Sequence, residues 1–206
     1  MNLSKSLYTK GIQCPKSLWL KKYKPSVLTP PDESAQAIFE TGNIVGNLAC
    51  TLFPDGKEVS YTKDFDEMIS TTKEFLEEGI SNIYEATFNF DGILIMVDIL
   101  NITDNTINIY EVKSSAEVKD IYIHDVSIKY YVLKNALEPM GYKINSTNVV
   151  HINSEYTRGD ELDINQLFKI VDVTSQVQAL QKDIPNTLSK FSEILSEKEL
   201  ELNIDI

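Results

Sequence analysis

The most constraining feature of this chain is a change of apolar period after Gly79. Beyond it, Ile83 to Phe90, Ile93 to Leu100 and Thr106 to Val112 read as three extended runs. Their connections, Asp91-Gly92 and Asp104-Asn105, are short and made of turn residues, so the three strands are predicted to form an antiparallel meander. Val118 to Leu137 then returns to helical spacing, Asn148 to Asn153 reads as one more strand, and Val173 to Ser196 closes with helices broken at Pro185. Ahead of the meander, Ile38, Phe39, Val45, Leu48 and Leu52 give a helical pattern over Ala35 to Leu52 that ends at the Pro54-Asp55-Gly56 turn. A further helix is predicted over Phe65 to Glu78. The order helix, three strands, helix, strand, helix describes an α/β chain without internal repeats or low-complexity tracts.

Composition narrows the setting. With 206 residues, 42% hydrophobic and 24% charged, the chain is long enough to bury a core and too mixed to be disordered. No window approaches a membrane-spanning length, and the start, MNLSKSLYTKGIQ, lacks the apolar stretch of a signal peptide, so a cytoplasmic setting with no membrane partner is expected. The net charge of -12 argues against bulk electrostatic coating of nucleic acid. That average hides an asymmetry: residues 1–31 hold Lys5, Lys10, Lys16, Lys21, Lys22 and Lys24 and no acid, giving +6, which leaves -18 on the other 175 residues. Two short helices, interrupted by Gly11 and Pro15, are expected there, followed by a Pro-rich linker over Ser26 to Asp32. The expected organisation is a basic helical arm, 1–31, on an acidic domain, 32–206. Lys16, Lys21, Lys22 and Lys24 are its candidate phosphate contacts, with Trp19 and Tyr23 as stacking surfaces or as packing groups, and a solvated helix face is the plainer alternative.

Candidate chemistry lies in the meander and the helix after it. Asp98 stands in the most apolar strand, ILIMVDIL, where an unpaired carboxylate would cost several kcal/mol, on the order of a lost polar solvation shell, so a compensating group is required. Glu111 and Lys113 end the next strand as EVK, and their two-residue spacing turns both side chains to one face. Asp98, Glu111 and Lys113 could then share a pocket. Two carboxylates with the Val112 backbone carbonyl would make an oxygen-rich site suited to Mg²⁺ or Mn²⁺, with Lys113 placed to orient a water. EVK alone also fits an ordinary Glu–Lys cross-strand pair on a solvated face.

An apolar-flanked Asp, about twelve residues and then Glu-x-Lys resembles the signature of PD-(D/E)XK phosphodiesterases, in particular the RecB-like branch. The segments LSKSLYTKGIQCPKSLWL, FETGNIVGNLACTLFPDG, IYEATFNFDGILIMVDIL, IYEVKSSAEVKDIYIHDVSIKYYVL and VVHINSEYTRG are similar to the N-terminal nuclease-like part of a bacterial family whose full-length members add a C-terminal domain of ribonuclease H type. The resemblance implies a restriction-endonuclease-like core, a central mixed sheet flanked by helices. It also implies that Asp98 and Glu111 ligate the metal, that Lys113 positions water, and that Glu85 is an accessory acid, though Glu85 also fits a surface acid at a strand end.

Two departures bear on activity. RecB-like nucleases carry a Gln on the helix after EVK, where this chain has Lys129, followed by Tyr130 and Tyr131. A lysine can hold a phosphate or the scissile strand but lacks the accepting side of an amide, and the tyrosines either stack or pack. Gly46 stands where many relatives have a metal-binding His. Cys14 matches the first cysteine of the iron-sulfur RecB-like nucleases, but its three partners are not in this sequence, which holds only Cys14 and Cys50 and ends at ELNIDI. A [4Fe-4S] cluster cannot be built from this chain alone, and both cysteines read as free thiols. His124 and His151 show no metal-ligand spacing and read as structural or surface residues. The expectation is a Mg²⁺- or Mn²⁺-dependent DNA phosphodiesterase acting on single strands or ends. The alternative is a nuclease-like nucleic-acid-binding or interaction module with little or no catalysis.

Overall fold

A computed structural model describes residues 3–30 and 32–196; the terminal ELNIDI stretch and Pro31 of the linker lie outside the described residues. The elements run β1 (Leu3–Ser4), α1 (Lys5–Gln13), α2 (Pro15–Tyr23), α3 (Glu33–Cys50), β2 (Lys57–Glu58), α4 (Phe65–Glu77), β3 (Asn82–Phe90), β4 (Ile93–Thr103) and β5 (Thr106–Lys113). They continue with α5 (Asp120–Leu137), β6 (Lys143–Ile152), α6 (Ile164–Leu167), β7 (Phe168–Asp172), α7 (Thr174–Leu180) and α8 (Ile184–Ser196). The strands form one sheet in the order β2-β3-β4-β5-β6-β7, with β1 pairing β4 off that path.

The meander is antiparallel, as expected, and its first turn has both Asp91 (φ 50) and Gly92 (φ 73) in the left-handed region that a two-residue hairpin matching the strand twist needs. From β5 the chain crosses through α5 to β6, which lies parallel to β5. A central mixed sheet flanked by helices, the architecture that the resemblance implies, is thus observed.

Two cores sandwich the sheet. On one face α1, α2, α4, α5 and α8 contribute Tyr8, Leu18, Met68, Val132 and Phe191 to a cluster with Ile95, Val97, Ile107 and Ile109. On the other, Val45 and Ala49 of α3 meet Ile99, Val150 and Phe168. The basic segment is part of this packing: Leu3 pairs with Ile93 along β4, and Leu18 and Trp19 are buried. Among the described residues, no helix is long and apolar enough to cross a membrane.

Several boundaries differ from expectation. Gly11 does not interrupt α1; it lets the helix approach α8, since a Cβ there would lie 2.5 Å from the Phe191 ring. The break falls at Cys14, where Pro15 opens α2 at a position whose missing N–H would be unpaired anyway. Pro185 likewise sits in the first turn of α8 and does not break it, because the chain turns just before, at Gln181 to Asp183. β6 begins at Lys143, five residues ahead of the expected strand, and β7 was not anticipated, having only Phe168 buried along its length.

Candidate active site: a lysine-bridged carboxylate cluster

Glu85 and Asp98 occupy a paired irregularity in the sheet. On β4, Ile93, Ile95 and Val97 face the larger core, but the next residues to do so are Leu100 and Ile102, while Ile99 faces α3. On β3, Tyr84 faces α3 and Ala86 and Phe88 face the larger core. Strict alternation would give residues two apart a common face, so each strand holds one extra residue, Glu85 or Asp98. These two stand at the same level, between the pairs Tyr84–Ile99 and Ala86–Val97, and pairing resumes in register on both sides. Glu85 takes the left-handed backbone conformation (φ 55), on the order of 1 kcal/mol of local strain for a residue with a side chain. The slip explains how an acid sits inside ILIMVDIL: Asp98 belongs to neither apolar face.

The group that compensates Asp98 comes from two directions. The Val112 N–H donates to its Oδ2 at 2.7 Å, and the Lys129 ammonium donates to its Oδ1 at 3.0 Å. Lys129, on α5, is fully buried and donates also to Glu111 Oε2. Lys113 takes the remaining Glu111 oxygen, Oε1, and reaches Asp125 Oδ2 at 2.7 Å. Lys5, the first residue of α1, lies 3.2 Å from Asp125 and 3.7 Å from Glu111. Asp98, Glu111 and Lys113 are therefore joined in one network. The solvated cross-strand pair is not what EVK makes here, since Glu111 is only 1% exposed.

The charges balance: three ammonium groups, Lys5, Lys113 and Lys129, face three carboxylates, Asp98, Glu111 and Asp125. Burial by itself would raise the Glu111 carboxyl, but the ammonium groups of Lys113, Lys129 and Lys5 outweigh it and hold Glu111 well below the usual carboxylate range. Burial would lower Lys129, yet Asp98, Glu111 and Asp125 raise it well above an ordinary lysine. Lys113 moves up for the same reason. Asp125 is raised by burial and by the Glu111 charge.

On the α3 side of Asp98 lies an open cleft of about 800 Å³. Glu58, Glu85 and Asp98 line it together with Asn43, Gly46 and Asn47 of α3, and no lysine is among its lining residues. Burial, followed by the Asp98 charge, raises Glu85 to about 7. The Cys50 thiol in the same wall is pushed up to about 11 by burial and by Glu85. A Cβ added at Gly46 would meet nothing within 4 Å, so this helix presents open space to the cleft.

The fit of a divalent ion follows from the donor set. All four oxygens of Asp98 and Glu111 already accept from protein donors, and the position between the two acids is taken by an ammonium. Among the described residues, no three His, Cys, Asp or Glu side chains are grouped to hold a metal. The residues as arranged do not fit Mg²⁺ or Mn²⁺ at the Asp98–Glu111 position.

The other residues singled out in the sequence lie elsewhere. Tyr130 is buried with Val126, Val149, Val173 and Val177, which corrects its reading as a stacking surface, since the ring is only 7% exposed; Tyr131 packs against Phe90. Trp19 is buried and stacks at a tilt on Tyr23, with Lys24 5.5 Å from its ring. Lys22 and Lys24 are exposed, and Lys16 and Lys21 half-buried. Cys14 and Cys50 are free, half-buried thiols. His151 is buried with Nδ1 against the Ile152 carbonyl, and His124 is half-buried. Asp125 and Lys5 were not foreseen in these roles. Asp125 carried a signal, being one helical turn before Lys129 on the same face of α5.

No protein-family model and no curated protein sequence matches the chain. Among solved structures it is similar to an alkaline exonuclease (LHK-Exo) from Laribacter hongkongensis, with a TM-score of 0.45 and 11% identity over 94% of this chain and 89% of that one. It is also similar to SSO0001, with a TM-score of 0.40 and 13% identity over 91% of this chain and 75% of that one.

Proposed function

We propose that this chain is a nuclease-like module that binds nucleic acid, preferentially single-stranded DNA, and hydrolyses it little or not at all. The observation that carries the reading is Lys129, whose buried ammonium bridges the two acids that the resemblance makes metal ligands. Phosphodiester hydrolysis of this class draws on a metal to activate water and neutralise developing charge, and a fully buried ammonium can reach neither water nor phosphate. Nucleic acid is then held by the basic arm, because the cleft bears Glu58, Glu85 and Asp98 and repels phosphate. On α2 and just past it, Lys16, Lys21, Lys22 and Lys24 supply the opposite charge.

A second reading, a Mg²⁺- or Mn²⁺-dependent DNA phosphodiesterase, is favoured by one specific observation: Asp98, Glu111 and Lys113 converge beside an open cleft whose further acid, Glu85, is poised to titrate near neutrality. One pair of assays separates the readings. Fluorescence anisotropy with a labelled single-stranded oligonucleotide is expected to show salt-dependent binding, and gel analysis in Mg²⁺ or Mn²⁺ is expected to show no cleavage above Asp98→Ala and Lys113→Ala. Cleavage by the native chain that both variants abolish would select the phosphodiesterase. Absence of binding at low salt would sink both the module reading and its DNA preference.

A further inference from the structure

Lys129 stands in a position whose geometry is that of a bound ion. Its ammonium is shared between acids on neighbouring strands, at 3.0 Å from Asp98 Oδ1 and in a shorter contact with Glu111 Oε2. The outer oxygens of the two acids are held by donors that belong to the sheet, the Val112 N–H and Lys113, so both carboxylates are oriented toward the central cation from both sides. A primary ammonium carries one charge and three donors, where a divalent ion would carry two charges and accept oxygen lone pairs.

Charge counting shows why the two cannot coexist. With Lys5, Lys113 and Lys129 against Asp98, Glu111 and Asp125, the network is neutral, and Glu85 is a surplus acid beside it. A divalent ion between Asp98 and Glu111 would have to expel the ammonium. Lys129 is 0% exposed, so the expelled charge would remain buried without its counter-charges, which a protein interior strongly disfavours. Removing that one charge while keeping a polar side chain of similar reach reverses the balance: the acids then exceed the lysines, and a divalent ion restores neutrality.

We infer that Lys129 is the resident cation of this site, occupying the position between Asp98 and Glu111 and excluding divalent ions from it, and that Lys129→Gln converts the pair into a Mn²⁺ site. The inference deepens the module reading and rests on it only for the site's identity: metal binding is measured without nucleic acid, so its failure is separate from failure of the binding and cleavage assays.

The test is a Mn²⁺ titration of the full chain followed by electron paramagnetic resonance of the free ion, at pH 8, for native protein, Asp98→Asn, Lys129→Gln and Lys129→Gln/Asp98→Asn. Native protein is expected to bind no Mn²⁺ in an Asp98-dependent manner up to about 1 mM, a range in which weak protein cation sites still fill. Lys129→Gln should bind one equivalent at least about tenfold more tightly than the native chain, and the added Asp98→Asn should abolish the gain. Should Lys129→Gln be unfolded alone, recovery of its native circular dichroism on adding Mn²⁺, but not on adding buffer, supports the inference equally. Asp98-dependent binding of Mn²⁺ by native protein overturns it whatever the variant does. So does a Lys129→Gln chain, folded alone or with Mn²⁺ present, that gains no site, and so does one that Mn²⁺ cannot refold.

Discussion

Glu111 and Glu85 flank the same aspartate and are displaced in opposite directions. Glu111, buried among three ammonium groups, is held well below the ordinary carboxylate range, while Glu85, in the wall of an acidic cleft, is raised to about 7. Burial disfavours the charged form of both; what differs is the number of lysines within reach. One side of Asp98 is therefore a neutral, closed network and the other an open surface with unrelieved negative charge. The lesson is that residue type and proximity to the site do not assign a role until the partners are known.

The contrast can be broken most severely at Glu111. Glu111→Gln leaves Lys129 fully buried with Asp98 as its principal counter-charge, and is expected to destabilise the chain by about 3–5 kcal/mol, as removal of one member of a buried ion pair does. Urea unfolding at pH 7 measures it, and a loss below about 1 kcal/mol would show that the network is solvated.

Next in size is Glu85, where the sign is opposite. Because its folded pKa of about 7 lies above the ordinary 4.5, the folded chain holds a proton that the unfolded chain releases, so its contribution to stability is full below pH 4.5 and is lost as pH rises through 7. Glu85→Gln is expected to be more stable than native by about 2–3 kcal/mol at pH 8 and to remove that pH dependence. Glu111 acts only at the acid end and equally in native and variant: its depressed pKa keeps its contribution constant above the ordinary 4.5 and withdraws it as pH falls through that value. Parallel stability profiles for native and variant between pH 4 and 8 would place Glu85 in solvent.

Asp125→Asn should have a smaller effect, a loss of about 1–2 kcal/mol, because an amide oxygen still accepts from Lys113 and Lys5 and its neutrality relieves the burial of a charge. Thermal unfolding checks this. The smallest effect per residue on stability is expected in the arm: Lys16, Lys21, Lys22 and Lys24 changed to Gln should each shift it by about 0.5 kcal/mol. The four changes together should reduce the log-log salt slope of single-strand binding by about 0.7 for each phosphate that the arm no longer neutralises. An unchanged slope would move the nucleic-acid surface away from the arm.

Part of the site was legible in the sequence. Asp98 advertised itself as a charge in an apolar strand, and the two-residue spacing of Glu111 and Lys113 requires a common face, as found. The meander followed from its turn residues. The parts that were not legible depend on contacts distant in sequence. Tyr130 and Tyr131 look equivalent in the chain, but the helical rotation between them directs one into the Val149–Val177 cluster and the other toward Phe90. β7 escaped notice because it completes its register with β6 while exposing Lys169 and Ile170, so its apolar alternation is weak. Gly11 read as a helix breaker, whereas its use is the close approach of Phe191, 180 residues away in sequence.

The sequence by itself determined the central meander, the helix after it and the common face of Glu111 and Lys113, because periodicity, turn chemistry and strand spacing are local properties of the chain. Only the tertiary structure decided what those residues are bound to. The matched extra residues at Glu85 and Asp98 become visible when two strands are paired, and the charge of the site depends on Lys5 from α1 and Lys129 from α5 reaching one pair of acids. Electrostatic energy follows distance in space, so the counter-ion of Asp98, 31 residues further along the chain, could be required from the sequence but not placed by it.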